Sequence, residues 1–194
     1  MRHAVIVAHP DPASFTMAVA NVYSDALAAR GHSTIRRDLY KMDFDPRLLA
    51  EELPTRPDYA PREDVIEERD FLHAADVIAF FYPFWLNTPP AILKGYMDRV
   101  FGFGFAYGKS REGNVPLLAP RKMISFTSSG APTEWMKTTG TWEAMCALFD
   151  EHFASVCGLE VLDHVHAGQI IPNMRRDVAE RHFDTVRSAV ERYF

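Results

Sequence analysis

The chain predicts an α/β fold: a doubly wound, five-stranded parallel sheet in the order 2-1-3-4-5, with helices on both faces. Three observations point there. The runs HAVIVA, DVIAFFY and KMISFT are apolar almost throughout, as strands buried on both faces are. Segments of helical period separate these runs, and that alternation gives parallel strands. The turn after the first run is HPDPASFT and leads straight into a helix, where a dinucleotide-binding half would carry G-x-G-x-x-G.

Taken in order, His3–Ala8 is the first strand, too short for a helix. His9–Thr16 is a turn-rich loop in which Ser14 has the residue type of a helix cap. Val19, Val22, Tyr23, Ala26 and Leu27 recur at helical spacing between Phe15 and about Arg30, and Gly31 supplies the stop. Ser33–Asp38 is more polar, which suits an edge strand and completes a βαβ-sized unit. Leu39–Pro61 is proline-rich without a period and reads as a long excursion over the surface. Arg62–Ala75 is an amphipathic helix on Val65, Ile66, Phe71 and Leu72, with Glu63, Asp64, Glu67 and Glu68 as its solvated face.

Asp76–Tyr82 is the central strand, and a helix runs from Pro90 to about Val100. Proline suits a first helical position because its missing N–H has no partner there. Lys122–Thr127 is a further buried strand that opens into SSGAPT. A helix follows over Thr133–Val156, with a break near Gly140. Leu159–His164 is the last strand and Arg175–Tyr193 the closing helix. No repeat or linker divides the chain, so residues 1–194 read as one domain.

The 194 residues suffice for one well-cored domain, with 47% hydrophobic and 24% charged residues. A net charge of −5 argues against nucleic acid or anionic membrane as a main partner. The pairs Arg36-Arg37 and Arg175-Arg176 are too short for a basic stripe. The apolar run before His9 is too short for a signal-peptide core, and no run reaches membrane-spanning length. Cys146 and Cys157 form no disulfide framework or metal motif. These features predict a cytoplasmic protein without stable membrane insertion. His164 and His166 alternate at a strand end with no acidic or cysteine partner at ligand spacing, so a solvated pair is expected and no metal.

In a sheet of this winding the loops His9–Thr16, Pro83–Pro90 and Thr127–Thr133 meet at one edge. The first can hold a phosphate: N–H groups around Phe15 and Thr16 emerge from a helix start, and His9, Ser14 and Thr16 add donors. Ser14 also suits a plain cap, and His9 a turn residue. The second offers Phe84, Trp85 and Leu86 with Asn87 and Thr88, flat faces beside backbone amides, which suit an isoalloxazine ring. As an isolated pair Phe84 and Trp85 equally suit a core. In the third, Thr127, Ser128, Ser129 and Gly130 let backbone N–H groups come close.

The run PAILKGYMDRVFGFGFAYG, with AHPDPASFT and RRDLYKMDFDP, resembles the NAD(P)H:quinone oxidoreductases of the DT-diaphorase type from His3 to about Gly168. The resemblance implies a flavodoxin-like fold, noncovalent FAD or FMN, NAD(P)H as hydride donor, a homodimer and two-electron reduction of quinone-like acceptors in a ping-pong cycle. His9, Ser14, Phe15 and Thr16 match the segment at the flavin phosphates. Pro83, Phe84, Trp85, Leu86 and Asn87 match the loop along the ring, and Thr127, Ser128, Ser129 and Gly130 the loop closing its other side. Tyr107 matches an aromatic that reaches the substrate pocket across the dimer interface.

Three positions depart from that family. Its tyrosine and histidine after the third loop stand here as Trp135 and Thr141, and Leu86 replaces a frequent tryptophan. No catalytic residue is certain; Trp135 and Tyr107 are the candidates, and neither is a convincing general acid, the Trp135 indole N–H donating a hydrogen bond but no proton. Phe101, Phe103, Phe105 and Tyr107 alternate with small residues, and a small domain that leaves them exposed would use them as an interface. Two other readings are a flavodoxin-type electron carrier and a regulatory flavoprotein subunit of a transporter.

Overall fold

The computed structural model describes residues 1–194. Strands β1 (Arg2–Val7), β2 (Ser33–Asp38), β3 (Val77–Pro83), β6 (Lys122–Ser128) and β7 (Glu160–Ala167) form a parallel sheet ordered β2-β1-β3-β6-β7. The intervening β4 (Tyr107–Ser110) and β5 (Gly113–Pro116) pair only with each other, as an antiparallel hairpin. With that hairpin set aside, the sheet has the predicted order. β3 is the middle strand and every one of its residues is buried, which is why its sequence is apolar without alternation.

The period of two in each strand assigns its side chains to two layers. Val5, Val7, Ala79 and Phe81 face α1 (Phe15–Ala29) and α7 (Arg176–Tyr193), around Tyr23, Leu27 and Val190. Ile6, Ile78, Phe80 and Tyr82 face α2 (Glu63–His73), α3 (Ala91–Val100) and a broken helical segment. That segment comprises α4 (Thr133–Thr138), α5 (Thr141–Cys146), a π-helical stretch Ala147–Phe153 and α6 (Ala154–Cys157). The expected break is at Gly140, whose φ of 73° ends one helix and opens the next. The last strand runs on to Ala167, beyond the predicted end at His164.

Three expectations are corrected. The Leu39–Pro61 stretch is tied down: Leu39, Phe44 and Glu52 are buried, and Ala50–Glu52 forms a 3-10 turn. The tie is Arg99, 3% exposed, whose guanidinium reaches Glu52 at 2.9 Å, Asp64 at 2.7 Å and the Asp45 carbonyl at 2.6 Å. Its cation also lies 4.9 Å from the Phe44 ring centre. Gly95 lets α3 approach this stretch, since a Cβ there would lie 2.1 Å from the Pro46 carbonyl oxygen. The acidic run of α2 is not a uniformly solvated face, because Glu68 is buried between Arg37 and the Tyr96 hydroxyl. The aromatic run is also not exposed: Phe101 is buried and Phe103, Phe105 and Tyr107 are half-buried.

Arg99 cannot shed its proton, so removing it strands the buried Glu52 carboxylate. Arg99→Met is expected to cost about 3–5 kcal/mol in urea unfolding. Arg99→Lys should recover only part of this, because a point charge cannot fork to two carboxylates. A loss under about 1 kcal/mol for Arg99→Met, within the range of an exposed pair, would show that the network is solvated.

Candidate functional site

The register brings three strand ends level. Tyr82 and Pro83 pair with Thr127 and Ser128, which pair with His166 and Ala167. The ladder continues past the strands: the Phe84 N–H donates to the Ser128 carbonyl at 2.7 Å and the Ser129 N–H to the Ala167 carbonyl at 3.0 Å. A cavity of about 390 Å³ lies over these ends. His9, Ser14, Phe15 and Thr16 line it from the first loop, Pro83, Phe84 and Trp85 from the second, and Ser128, Ser129 and Gly130 from the third. A cleft of about 840 Å³ adjoins it, shares Trp85, and holds Leu86, Asn87, Thr88 and Pro90 against Thr141, Met145 and Leu148.

Each loop has a local reason for its shape. In the first, the Asp11 N–H donates to His9 Nδ1 at 3.0 Å and the Asp11 carboxylate accepts from the Ala13 N–H at 2.8 Å. Ser14 Oγ accepts from the Met17 N–H at 3.2 Å and so caps α1. The Phe15 and Thr16 N–H groups have no carbonyl one turn earlier and point out of the helix start. In the second loop Trp85 and Thr88 exchange backbone hydrogen bonds at 3.1 Å around Leu86 and Asn87, whose φ values are 52° and 60°. Leucine is strained in that left-handed region, and its side chain is 98% exposed. His9 packs edge-on against Trp85, ring centres 5.8 Å apart, which joins the first two loops.

Not every predicted residue comes to this cavity. The Thr127 side chain turns toward β7, its Oγ1 lying 2.8 Å from both His164 Nε2 and His166 Nδ1. Tyr107 lines a separate cleft of about 270 Å³ with Tyr59 and Arg99. Trp135 is half exposed and outside all three cavities. The sequence reading missed Asp11 and the segment containing Ile170, Ile171, Pro172 and Met174, which closes the smaller cavity. The last strand runs three residues beyond its predicted end at His164, which carries that segment to the sheet edge. A visible signal was Gly168, where a Cβ would lie 2.6 Å from the Thr133 hydroxyl.

The histidine pair is corrected most sharply, since His164 and His166 are half-buried and hydrogen-bonded rather than a solvated pair. His164 Nδ1 lies 2.7 Å from Asp150 Oδ2, and His166 Nε2 lies 3.0 Å from Ser129 Oγ. Ligand-type atoms of Cys146, Asp150 and His164 lie within 4.8 Å of one another, so acidic and cysteine partners do stand there. Phe84 stacks on His166 with ring centres 5.1 Å apart, and the Trp142 edge meets His164 at 4.9 Å. Burial, reinforced by His164 and His182, lowers His166 to about 4. Burial likewise lowers His3, on β1, to about 4, with His32 beside it. Burial and the neighbouring Asp150 push the Cys146 thiol up to about 12.

Both histidines are neutral when folded and take up protons on unfolding between pH 4 and 6.5, and His32 and His182, also lowered by burial, add to that uptake. Stability therefore rises with pH through that window, is fully present above 6.5 and is lost as pH falls toward 4. Urea midpoints measured across the window should show uptake of about two protons or more on unfolding, and His166→Gln should lower the slope by about one. A midpoint flat from pH 6.5 to 4 would contradict the buried neutral state.

A model of the flavodoxin-like fold matches residues 1–192. A relative from Haemophilus influenzae described as an uncharacterized NAD(P)H oxidoreductase is 36% identical over 171 residues, covering 88% of this chain and 85% of that one. NAD(P)H dehydrogenase [quinone] 1 of Rattus norvegicus is 26% identical over 219 residues, covering 100% of this chain and 80% of its own. The solved NAD(P)H:quinone oxidoreductase from Methanothermobacter marburgensis superposes with a TM-score of 0.90 at 29% identity, covering 98% and 97% of the two chains. This chain therefore belongs to the NAD(P)H:quinone oxidoreductase family of flavodoxin-like fold.

Proposed function

We infer that the chain holds FMN or FAD noncovalently across the two joined cavities and uses it to carry a hydride from NAD(P)H to quinone-like acceptors, one after the other in the same place. The observation that carries the reading is the pairing of two unlike ends. At one end the start of α1 offers unpaired Phe15 and Thr16 N–H groups with the Ser14 and Thr16 hydroxyls, a seat for a phosphate. At the other, Trp85, Leu86, Met145 and Leu148 wall an apolar cleft of the size small-molecule sites occupy. The residues present therefore fit a flavin.

When bound, the flavin supplies the two-electron chemistry, and the protein supplies position and electrostatics. The Pro83–Asn87 loop holds one edge of a flat ligand, and the Ser128–Gly130 backbone approaches it closely from the other side. The Gly130 N–H, which no backbone carbonyl takes up, favours negative charge building up beside it. Trp85 and Leu148 exclude water and set the stacking distance on which transfer between two flat rings depends.

A second copy of the chain supports this site. Leu86 is 98% and Leu148 71% exposed, both on the rim of the larger cleft, and a twofold partner would cover them. Tyr107 lies outside its own chain's cleft, which leaves it free to serve the partner's.

Three outcomes test the reading. The purified protein should be yellow, should bleach with NADH or NADPH under nitrogen, and should release a flavin on heating that chromatography identifies. Ser14→Asp keeps a good helix cap but sets a carboxylate against the phosphate, so helix stability should hold while flavin affinity falls by about tenfold or more. Leu86→Asp should shift a sedimenting dimer toward monomer; an unaltered dimer would place the interface elsewhere.

A further inference from the structure

We propose that Asp150, His164, Thr127, His166 and Ser129 form a buried proton wire that delivers one proton into the site at Ser129 Oγ. The proposal rests on the hydride-transfer reading above. Its geometry is an unbroken chain: Asp150 Oδ2 to His164 Nδ1 at 2.7 Å, His164 Nε2 to Thr127 Oγ1 at 2.8 Å, Thr127 Oγ1 to His166 Nδ1 at 2.8 Å, and His166 Nε2 to Ser129 Oγ at 3.0 Å. Ser129 lines the 390 Å³ cavity, so one end of the chain opens on the site.

Counting protons shows that this chain has two complete states. Each hydroxyl carries one proton and each neutral imidazole one, and an ionised carboxylate only accepts. In the loaded state the Ser129 hydroxyl donates to the Ala131 carbonyl, 2.9 Å away. His166 Nε2–H then donates to Ser129, the Thr127 hydroxyl to His166 Nδ1, and His164 Nε2–H to Thr127. His164 must also donate from Nδ1 to Asp150, and is therefore an imidazolium beside a carboxylate. In the discharged state every bond reverses as far as His164. Ser129 donates to His166 Nε2, His166 Nδ1–H to Thr127, and Thr127 to His164 Nε2, while His164 Nδ1–H still donates to Asp150. The two states differ by one proton, and no heavy atom needs to move between them.

The surroundings are built for that exchange. The Ala131 carbonyl also accepts from the Gln169 N–H at 3.1 Å, so it keeps a donor when the Ser129 hydroxyl turns away. Asp150 Oδ1 receives no protein hydrogen bond although Asp150 is 8% exposed, and the His164 ring is the partner of its other oxygen. The other titratable groups facing the chain are the Cys146 thiol and Tyr82 phenol at the Asp150 end and His182 beside His166. Phe84 and Trp142 clamp the two imidazole rings. Asp150 itself sits in the π-helical stretch, an irregularity that re-aims side chains at functional sites.

The step balances. The quinone takes an electron pair and a hydrogen as hydride originating from NAD(P)H, which leaves as NAD(P)⁺. The step requires the quinone oxygen to reach from the adjoining cleft into the 390 Å³ cavity that Ser129 lines; there the oxygen that becomes anionic takes the Ser129 hydroxyl proton, Ser129 takes the His166 Nε2 proton, His166 takes the Thr127 proton at Nδ1, and Thr127 takes the His164 Nε2 proton. Hydroquinone leaves, and the wire reloads through Ser129 from water once the cleft is open. This gives the site a proton source that neither the Trp135 indole nor the Thr141 hydroxyl can provide.

Thr127→Val cuts the wire at nearly constant volume, and Thr127→Ser restores the hydroxyl. Turnover of the flavin-loaded protein is compared with a simple benzoquinone, which needs a proton, and with ferricyanide, which takes electrons alone. In Thr127→Val the ratio of quinone to ferricyanide turnover is expected to fall by about tenfold or more, with the quinone rate now declining as pH rises, and Thr127→Ser to regain most of it. Should Thr127→Val not fold, Asp150→Asn, which weakens the imidazolium's partner, is expected to lower the same ratio. An unchanged ratio in the folded variant, or a Thr127→Ser protein as poor as Thr127→Val, overturns the wire. Wild-type protein that takes up flavin yet is not bleached by NAD(P)H overturns the underlying reading and the wire with it.

Discussion

The structure depends on the register in which β3, β6 and β7 end level. A parallel strand leaves its last N–H and carbonyl groups unpaired unless the following loop takes them up. Here the Phe84 N–H closes onto Ser128 and the Ser129 N–H onto Ala167, so each loop is held by the ladder of its neighbour. A slip of one residue would turn Phe80 and Tyr82 to the wrong core layer and would part Thr127 from both histidines. The core thus fixes the site: apolar alternation within each strand determines where three polar loops meet.

Legibility in the sequence follows from distance along the chain. β3 is readable because burial on both faces removes every polar residue from it, and the start of α1 is readable because a cap and its loop are contiguous. The Arg99 network is not, because Glu52 lies 47 and Asp64 35 residues away, and the charges that form it look like ordinary solvated ones. Glu68 misleads in the same way, its partner Arg37 lying 31 residues back on an edge strand. The hairpin of β4 and β5 leaves little pattern because most of its residues are exposed. In the site, the three loops could be placed by topology alone, whereas the Ile170–Met174 contribution hung on the last strand being three residues longer than its apolar pattern suggested. The alternation of His164 and His166 was visible, but its meaning lay in Asp150, Thr127 and Ser129.

Two buried polar devices in this fold obey opposite rules. Around Arg99 the cation has no accessible neutral form, so its carboxylates are locked and the stretch from Phe44 to Asp64 is held against α3. Around His164 each internal partner is amphoteric, and the same heavy-atom positions accommodate two proton counts. The first arrangement suits a clamp and the second suits transfer. Both sit in low-dielectric surroundings, where an unpaired group is costly, and both are nearly closed. The exceptions are the Asp150 Oδ1 and Tyr82 hydroxyl atoms, which find no protein partner at the end of the histidine chain.

That placement bears on how the cleft can be shaped. A side-chain acid standing in the cleft occupies volume there and sets a polar group against a flat, largely apolar acceptor. A proton delivered from beneath, through a serine already in the third loop, leaves the cleft wall to Trp85, Leu86, Met145 and Leu148. Positions 135 and 141 are then relieved of a proton-donating role, which is compatible with Trp135 turning half its surface to solvent and with Thr141 bonding to Thr139 at 3.0 Å. On the proposed reading, acceptor choice would follow from the fit of a flat ring against that wall, with the proton supplied by the chain behind it.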